Sequence, residues 1–524
     1  MMHWVDSIAE ALLRRGGRHV VASGISISGH IHIGHANDVF IADAVAKVLR
    51  ERGADAVAIW YADDFDPMRR VPSPLDQAEF GRYLGFPYAN IPSPDPAYRS
   101  FVDYFARPFT DCLKDFGIEV EIISGAEVYR SGRMAELIRR SLEQAEKIRR
   151  ILNMFRDTPL PDDWLPFDPL CGNCGRIATT RATGWHGDFV RYRCEGAPYV
   201  AGCGHEGEAD YTRGEGKLTW RVEWPARWKL LGVTCEPFGK DHAAAGGSYD
   251  TGKLIAREVF GCEPPYPVPY EWVAMGGEKL SSSKGVVFTL RQWLEVAEPE
   301  LLRYFIFRSK PMKAKEFRPE NLPDLYDEYD MAERVYFGEE DLPPSRVKQV
   351  RRIYELSQVG KPPGKRPQRI SFRFAAILCQ VARDERAAVE TLRQRGILTD
   401  PEDAGGIVRR LELARQWVEL YAPDSMRFEV MREAPAVKLD EKQCEGLRRL
   451  AEVISSESLG PADMHSKIYE VAREVGLDPS RLFEAIYLAF LGRPSGPRAG
   501  AFLAAMDREF AVARLLAVAS PPST

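Results

Sequence analysis

The first third of the chain alternates short unbroken apolar runs with stretches whose apolar positions recur every three or four residues. Val20-Val21-Ala22 is the first run and has the character of a buried strand. Ser23 to Gly29, rich in Gly and Ser, reads as a turn. From His32 onward Val39, Ala42, Ala46 and Leu49 share one helical face, and Gly53 supplies a stop. Ala56 to Tyr61 is a second apolar run. Strand, helix and strand in this order make a parallel βαβ unit. Asp63, Asp64 and Asp66 follow at the carboxyl end of the second strand, where open α/β sheets bind ligands. The same cluster also suits a cap and turn before Pro67.

Further along, the proline-rich segment 87–96 is a loop. Helical patterns cover 96–116 and 126–155, with a strand at 118–123 between them and a proline-rich break at 159–169. Strands are expected at 233–238 and 267–275, and between them the glycine-rich run Gly246 to Gly252 leads into a helix ending near Phe260. The remainder is helical in pattern: 345–358, 369–395, 402–421, 440–458, 462–475, 479–491 and 499–518. Asp440 with Gln443 resembles a capping box, Pro479 after Asp478 suits a first helical turn, and Gly492 suits a C-terminal cap.

At 524 residues the chain is too long for one core, and about three domains are expected. No run of 18 uncharged apolar residues is present and the N-terminus lacks the regions of a signal peptide, so no membrane association and a cytoplasmic location are expected. The net charge of −5 is unevenly spread: residues 345–524 carry 29 Lys/Arg against 24 Asp/Glu, and the rest 42 against 52. Between Arg346 and Arg373 stand nine basic residues and one acid, Glu355. A basic C-terminal part on an acidic body fits a polyanion partner, and equally a solvated helix face.

Candidate chemistry begins at the first turn. His32-Ile33-Gly34-His35 opens a helix after a strand, which points backbone N–H groups, a positive helix end and two imidazoles at an anion. Cys171-Gly172-Asn173-Cys174, then Cys194, Cys203 and His205, have spacings suited to structural zinc, with either Cys203 or His205 as fourth ligand. Trp220, Trp224 and Trp228 form either a core patch or one wall of a pocket. Gly239-Lys240-Asp241-His242 follows a strand-like run. The glycine-flanked loop Gly276 to Gly285 carries Lys279, Ser281, Ser282, Ser283 and Lys284, a composition that binds phosphate.

His32-Ile33-Gly34-His35 together with Lys279-Leu280-Ser281-Ser282-Ser283 resembles the paired HIGH and KMSKS signatures of class I aminoacyl-tRNA synthetases. Gly24 to Gly29, the Trp220-to-Trp228 run, Gly239 to His242, Ser248 to Gly252 and Gly496 to Leu503 narrow the resemblance to the class I, archaeal-type lysyl-tRNA synthetases, over nearly the whole chain. The resemblance implies an α/β fold: a Rossmann-type catalytic domain with a zinc-binding insertion, plus an all-α anticodon-binding domain. Its segments would be 1–95 and 216–285 for the catalytic halves, 96–215 for the insertion, 286–344 for a stem-contact region and 345–524 for the helical domain.

It also implies L-lysine, ATP with magnesium, and lysine tRNA as substrates. His32, Gly34, His35, Lys279, Ser281, Ser282, Ser283 and Lys284 would contact ATP, with His32, His35, Lys279 and Lys284 acting in catalysis. Where the signature has its second lysine this chain has Ser282, so Lys284 is expected to supply that charge. Gly24, Ser26, Asp38, Trp220, His242 and Tyr270 would bind lysine. Asp38 stands where the family has a glutamate, and is expected to meet the lysine ammonium. Arg346, Arg351, Arg352 and Arg373 would touch tRNA phosphates. Another class I synthetase, for glutamate, cysteine or arginine, a catalytically idle RNA-binding paralogue, and a nucleotidyltransferase are the competing readings.

Overall fold

The computed structural model describes residues 2–280 and 287–520. The chain forms two compact units. The first comprises Met1–Gln292, Arg303–Phe317 and Leu356–Gly360; the second comprises Trp293–Leu302, Arg318–Glu355 and Lys361–Thr524.

The first unit is built on five parallel strands: β1 (His19–Ser26), β2 (Ala56–Asp63), β3 (Glu121–Ser124), β4 (Val233–Gly239) and β5 (Tyr266–Tyr270). Their spatial order is β5-β4-β1-β2-β3. The chain thus moves outward from β1 in one direction, then resumes on its other side. A crevice opens at such a reversal, outside the carboxyl ends of the strands. Those ends are Ser26, Asp63, Ser124, Gly239 and Tyr270. β1 runs past the expected turn because Ser23 and Gly24 stay in register with Trp60 and Tyr61, and the Ser23 hydroxyl donates to the Ile59 carbonyl at 3.0 Å. Helix α1 (Ile33–Glu51) is buried along most of its length, including Asp38 and Asp43. Pro267 and Pro269 fall on β5, a sheet edge, where a missing N–H is tolerated.

The expected strand 267–275 is two pieces, β5 and then β6 (Val273–Met275), which pairs with β7 (Glu278–Lys279) and β8 (Lys315–Phe317). The expected helix 126–155 is three, Gly125–Arg130, Ala135–Glu143 and Ala145–Asn153, and Gly132 at φ 74° turns the chain between the first two.

The described part of the second unit contains helices and no strand. Asp440 and Gln443 form a reciprocal capping box, Asp478 caps Pro479–Leu491, and Gly492 ends that helix in the left-handed conformation. Two periodic stretches are broken by aspartates that cap a new helix. Asp384 starts Glu385–Gln394 after Phe372–Val381, and Asp507 starts Arg508–Ala519 after Ala499–Ala504. No helix among the described residues is long and apolar enough to cross a membrane.

Candidate active site

The turn between β1 and α1 delivers the two imidazoles. His32 is the N-cap of α1 and its Nδ1 accepts the Gly34 N–H at 3.1 Å. The His32 and His35 rings stack with centroids 3.9 Å apart and planes 16° apart. A Cβ at Gly34 would lie 2.9 Å from two atoms of the His32 ring, so the glycine is needed for the capping ring itself. Burial pushes the His32 imidazole down to about 2, helped by His35 and Lys279, and pushes His35 down to about 4, helped by Lys279. Both are therefore neutral near pH 7. With Nδ1 of His32 accepting, its proton belongs on Nε2, a buried atom with no hydrogen-bond partner; Nδ1 of His35 is likewise unpartnered. Two buried polar groups without partners at a helix N-terminus suit an anion that replaces water. Lys279, at the end of β7, adds a cation close enough to depress both histidines. Ser281, Ser282, Ser283 and Lys284 lie outside the described residues.

A cavity of about 440 Å³ opens at the strand ends, lined among others by Gly24, Ser26, Asp63, Asp66, Trp220 and His242. Asp63 and Asp66 belong to the acidic cluster at the end of β2, and the cations behind them were not apparent from sequence. Arg227, buried on helix α2 (Trp220–Leu231), meets Asp63 at 2.8 Å and Glu236 at 3.5 Å, and lies over the Tyr61 ring at 4.3 Å. Lys217 meets Asp66 at 2.5 Å and Glu223 at 2.6 Å. Burial pushes the Asp63 carboxyl up against the pull of Arg227. Trp224 and Trp228 are core residues whose indole N–H groups donate to Glu236 at 3.0 and 2.5 Å. Trp220 stacks on Trp224 and faces the cavity, so the tryptophan run serves both core and wall.

Asp38 is not among the cavity's lining residues. It is buried behind Gly24, whose N–H donates to Asp38 Oδ2 at 3.1 Å, while Oδ1 has no partner. Burial raises its carboxyl well above the usual range, and burial, followed by the nearby Asp38, raises the phenol of Tyr270 at the end of β5. A fully buried carboxylate oxygen without a donor is costly unless a cation reaches it.

Cys171, Cys174, Cys194 and Cys203 bring their sulfurs within 4.8 Å of one another. Cys171–Cys203 and Cys174–Cys194 are 3.6 and 3.7 Å apart, and zinc–sulfur bonds of about 2.3 Å place tetrahedral ligands about 3.8 Å apart. His205 is not part of this cluster. The Asn173 side chain and then the His205 backbone draw the Cys203 thiol down to about 6. The four thiols fit one tetrahedral zinc ion. Of the arginines expected on tRNA, Arg373 pairs with Asp324 and Asp327, Arg352 with Glu355, and Arg351 donates to the Val335 carbonyl. Arg346 is exposed.

A parallel sheet with a crevice at its reversal, two neutral imidazoles at a helix N-terminus and the Lys279 ammonium near them suit the activation of a nucleotide. Residues 2–360 match the family model for class I tRNA synthetases (K), and the chain belongs to that family. The lysine–tRNA ligase of Methanosphaera stadtmanae is 42% identical over 530 residues, which cover 98% of this chain and 98% of that protein. That of Archaeoglobus fulgidus is 40% identical over 519 residues, covering 98% and 100%. That of Methanopyrus kandleri is 40% identical over 546 residues, covering 96% of each.

Proposed function

We infer that the protein is a lysine–tRNA ligase. It activates L-lysine with magnesium-bound ATP to lysyl-adenylate, then passes the lysyl group to the 3′-terminal adenosine of lysine tRNA. Neither step needs a covalent enzyme intermediate, so catalysis is positioning and charge stabilisation. His32 and His35, neutral, act as hydrogen-bond donors to the triphosphate rather than as cations. Positive charge comes from Lys279 and from Lys284, and Ser281, Ser282 and Ser283 add hydroxyl donors.

The observation that carries the amino-acid choice is a pair of carboxylates next to Gly24, Asp63 at the cavity wall and Asp38 buried behind it. Lysine has two ammonium groups. Asp63, held by Arg227 at the cavity wall with Asp66 nearby, takes the α-ammonium beside Gly24 and Ser26. The unpartnered Asp38 Oδ1, next to Tyr270, takes the ε-ammonium, with Trp220 and His242 along the methylene stem. The four cysteines hold a structural zinc, and the helical unit binds the anticodon arm of lysine tRNA. A cytoplasmic location suits these substrates.

ATP–pyrophosphate exchange tested with each amino acid decides the reading. Exchange with lysine alone supports it; exchange with another amino acid makes the protein a different class I synthetase, and no exchange at all makes it an idle RNA-binding paralogue. Asp38→Ala is expected to raise the lysine concentration needed for exchange while sparing ATP binding. An unchanged lysine dependence removes Asp38 from the site.

A further inference from the structure

Trp272, between β5 and β6, has no part in the function drawn above, yet two ammonium groups lie over its indole ring. Lys279 Nζ is 3.4 Å from the ring centroid and Lys240 Nζ is 4.5 Å from it. The ring sits against the turn that follows β4, where a Cβ on Gly239 would come within 3.9 Å of Trp272 Nε1. Each lysine also has a carboxylate, but on unequal terms. Lys240 meets Glu271 at 2.8 Å, whereas Lys279 is 4.0 Å from Asp241.

That inequality matters because a carboxylate at close range occupies the N–H donors of an ammonium group. An aromatic face attracts the charge through its quadrupole and leaves donors free to point elsewhere. Lys279 is thus held mainly by the ring, with its side chain 51% exposed. Lys240 adds a like charge beside it, which weakens the hold. A long lysine side chain has many rotamers, and one fixed beforehand at the phosphate end of the site loses less freedom when ATP reacts.

We propose that Trp272 is a positioning residue for adenylate formation: its indole face holds the Lys279 ammonium beside the two histidines with N–H donors free, and releases it to the pyrophosphate leaving group. In that step a lysine carboxylate oxygen bonds to the α-phosphorus. The bond from the α-phosphorus to the bridging oxygen breaks, and pyrophosphate departs with the electron pair. Lys279 meets the charge that develops on it. The proposal rests on the ligase reading above.

The test is lysine-dependent ATP–pyrophosphate exchange by the full chain as Trp272→Leu, Trp272→Phe, Lys279→Ala and the Trp272→Leu/Lys279→Ala pair. Trp272→Leu is expected to lower kcat about ten-fold, the cost of ordering one long side chain expressed as a rate, with the KM for lysine unchanged. Trp272→Phe, which keeps an aromatic face and the packing, should recover most of that loss. In the Lys279→Ala background Trp272→Leu should cost nothing further. A native kcat in Trp272→Leu, or an equal further loss without Lys279, overturns the proposal. Should Trp272→Leu fail to fold, a Trp272→Phe kcat reduced ten-fold also overturns it. Absence of exchange by the native protein with every amino acid is a different failure, and sinks the ligase reading together with this one.

Discussion

Each unit buries an arginine among carboxylates, and the two clusters are finished differently. In the helical unit Arg410 meets Asp330 at 2.8 Å and Glu298 at 3.4 Å, donates to the Ile370 carbonyl and lies over the Tyr326 ring. Nearby, Arg369 and the Tyr354 hydroxyl share Glu333. None of these side chains has a buried polar atom without a partner. In the first unit Arg227 is as deeply buried, but its partner Asp63 faces a cavity, and around it the Tyr61 hydroxyl and Asp38 Oδ1 are buried without partners. A closed cluster holds helices together. An open one, with donors and acceptors left over, waits for a ligand.

The largest effect expected from this contrast is on stability. Arg410→Ala leaves Asp330 and Glu298 buried and uncompensated, which costs roughly 3–5 kcal/mol in urea unfolding. Exchange at saturating lysine and ATP should persist wherever the variant is folded. Arg227→Ala should lose stability similarly and in addition need more lysine; equal lysine dependence in the two variants would erase the distinction.

Next in size is His35→Ala, expected to slow exchange about 100-fold, as for one donor to a developing oxyanion. A loss of less than about three-fold would mean the free ring nitrogen is a packing accident.

The smallest effect is on pH dependence. His32 and His35 stay neutral in the folded protein well below 6.5, while the unfolded chain takes up protons there. The unfolded state therefore binds more protons between about pH 6.5 and 4, and stability is lost as pH falls through that window. His35→Asn should flatten the fall by roughly 1 kcal/mol per pH unit, read from urea titrations at several pH values. An unchanged slope would show that the imidazole is charged after all.

The contrast also explains what could be read from the residues alone. Val20, Ala56 and the face of α1 announce the βαβ core because apolar periodicity and the sheet share a cause, burial. His32 with His35 and Cys171 with Cys174 could be named because short spacings along the chain fix short distances in space, whereas the fourth thiol stayed open between Cys203 and His205 until the fold brought Cys203 to the cluster. Arg227 and Lys217 could not: a cation inside a tryptophan-rich helix, or beside a glycine turn, looks like surface until an aspartate 151 or 164 residues away, at or just past the end of β2, supplies its carboxylate. The helix breaks at Asp384 and Asp507 were hidden for a related reason. Periodicity continues across them, and only the aspartate side chain, bonding to Ala387 N–H at 2.8 Å and Phe510 N–H at 2.9 Å, restarts the helix.

Asp63 and Asp64 are consecutive, yet they do unrelated work. Asp63 faces the cavity and Arg227, while Asp64 accepts from the Ser124 hydroxyl at 2.6 Å and the Ala126 N–H at 2.7 Å, where β3 hands over to its helix. Successive side chains of a strand point to opposite faces, so a frame shift of one residue in β2 turns Asp63 away from the cavity and Arg227. The end of β2 is therefore sensitive to length as well as to composition: one residue inserted there would carry the cavity carboxylate away and leave Arg227 without its 2.8 Å partner.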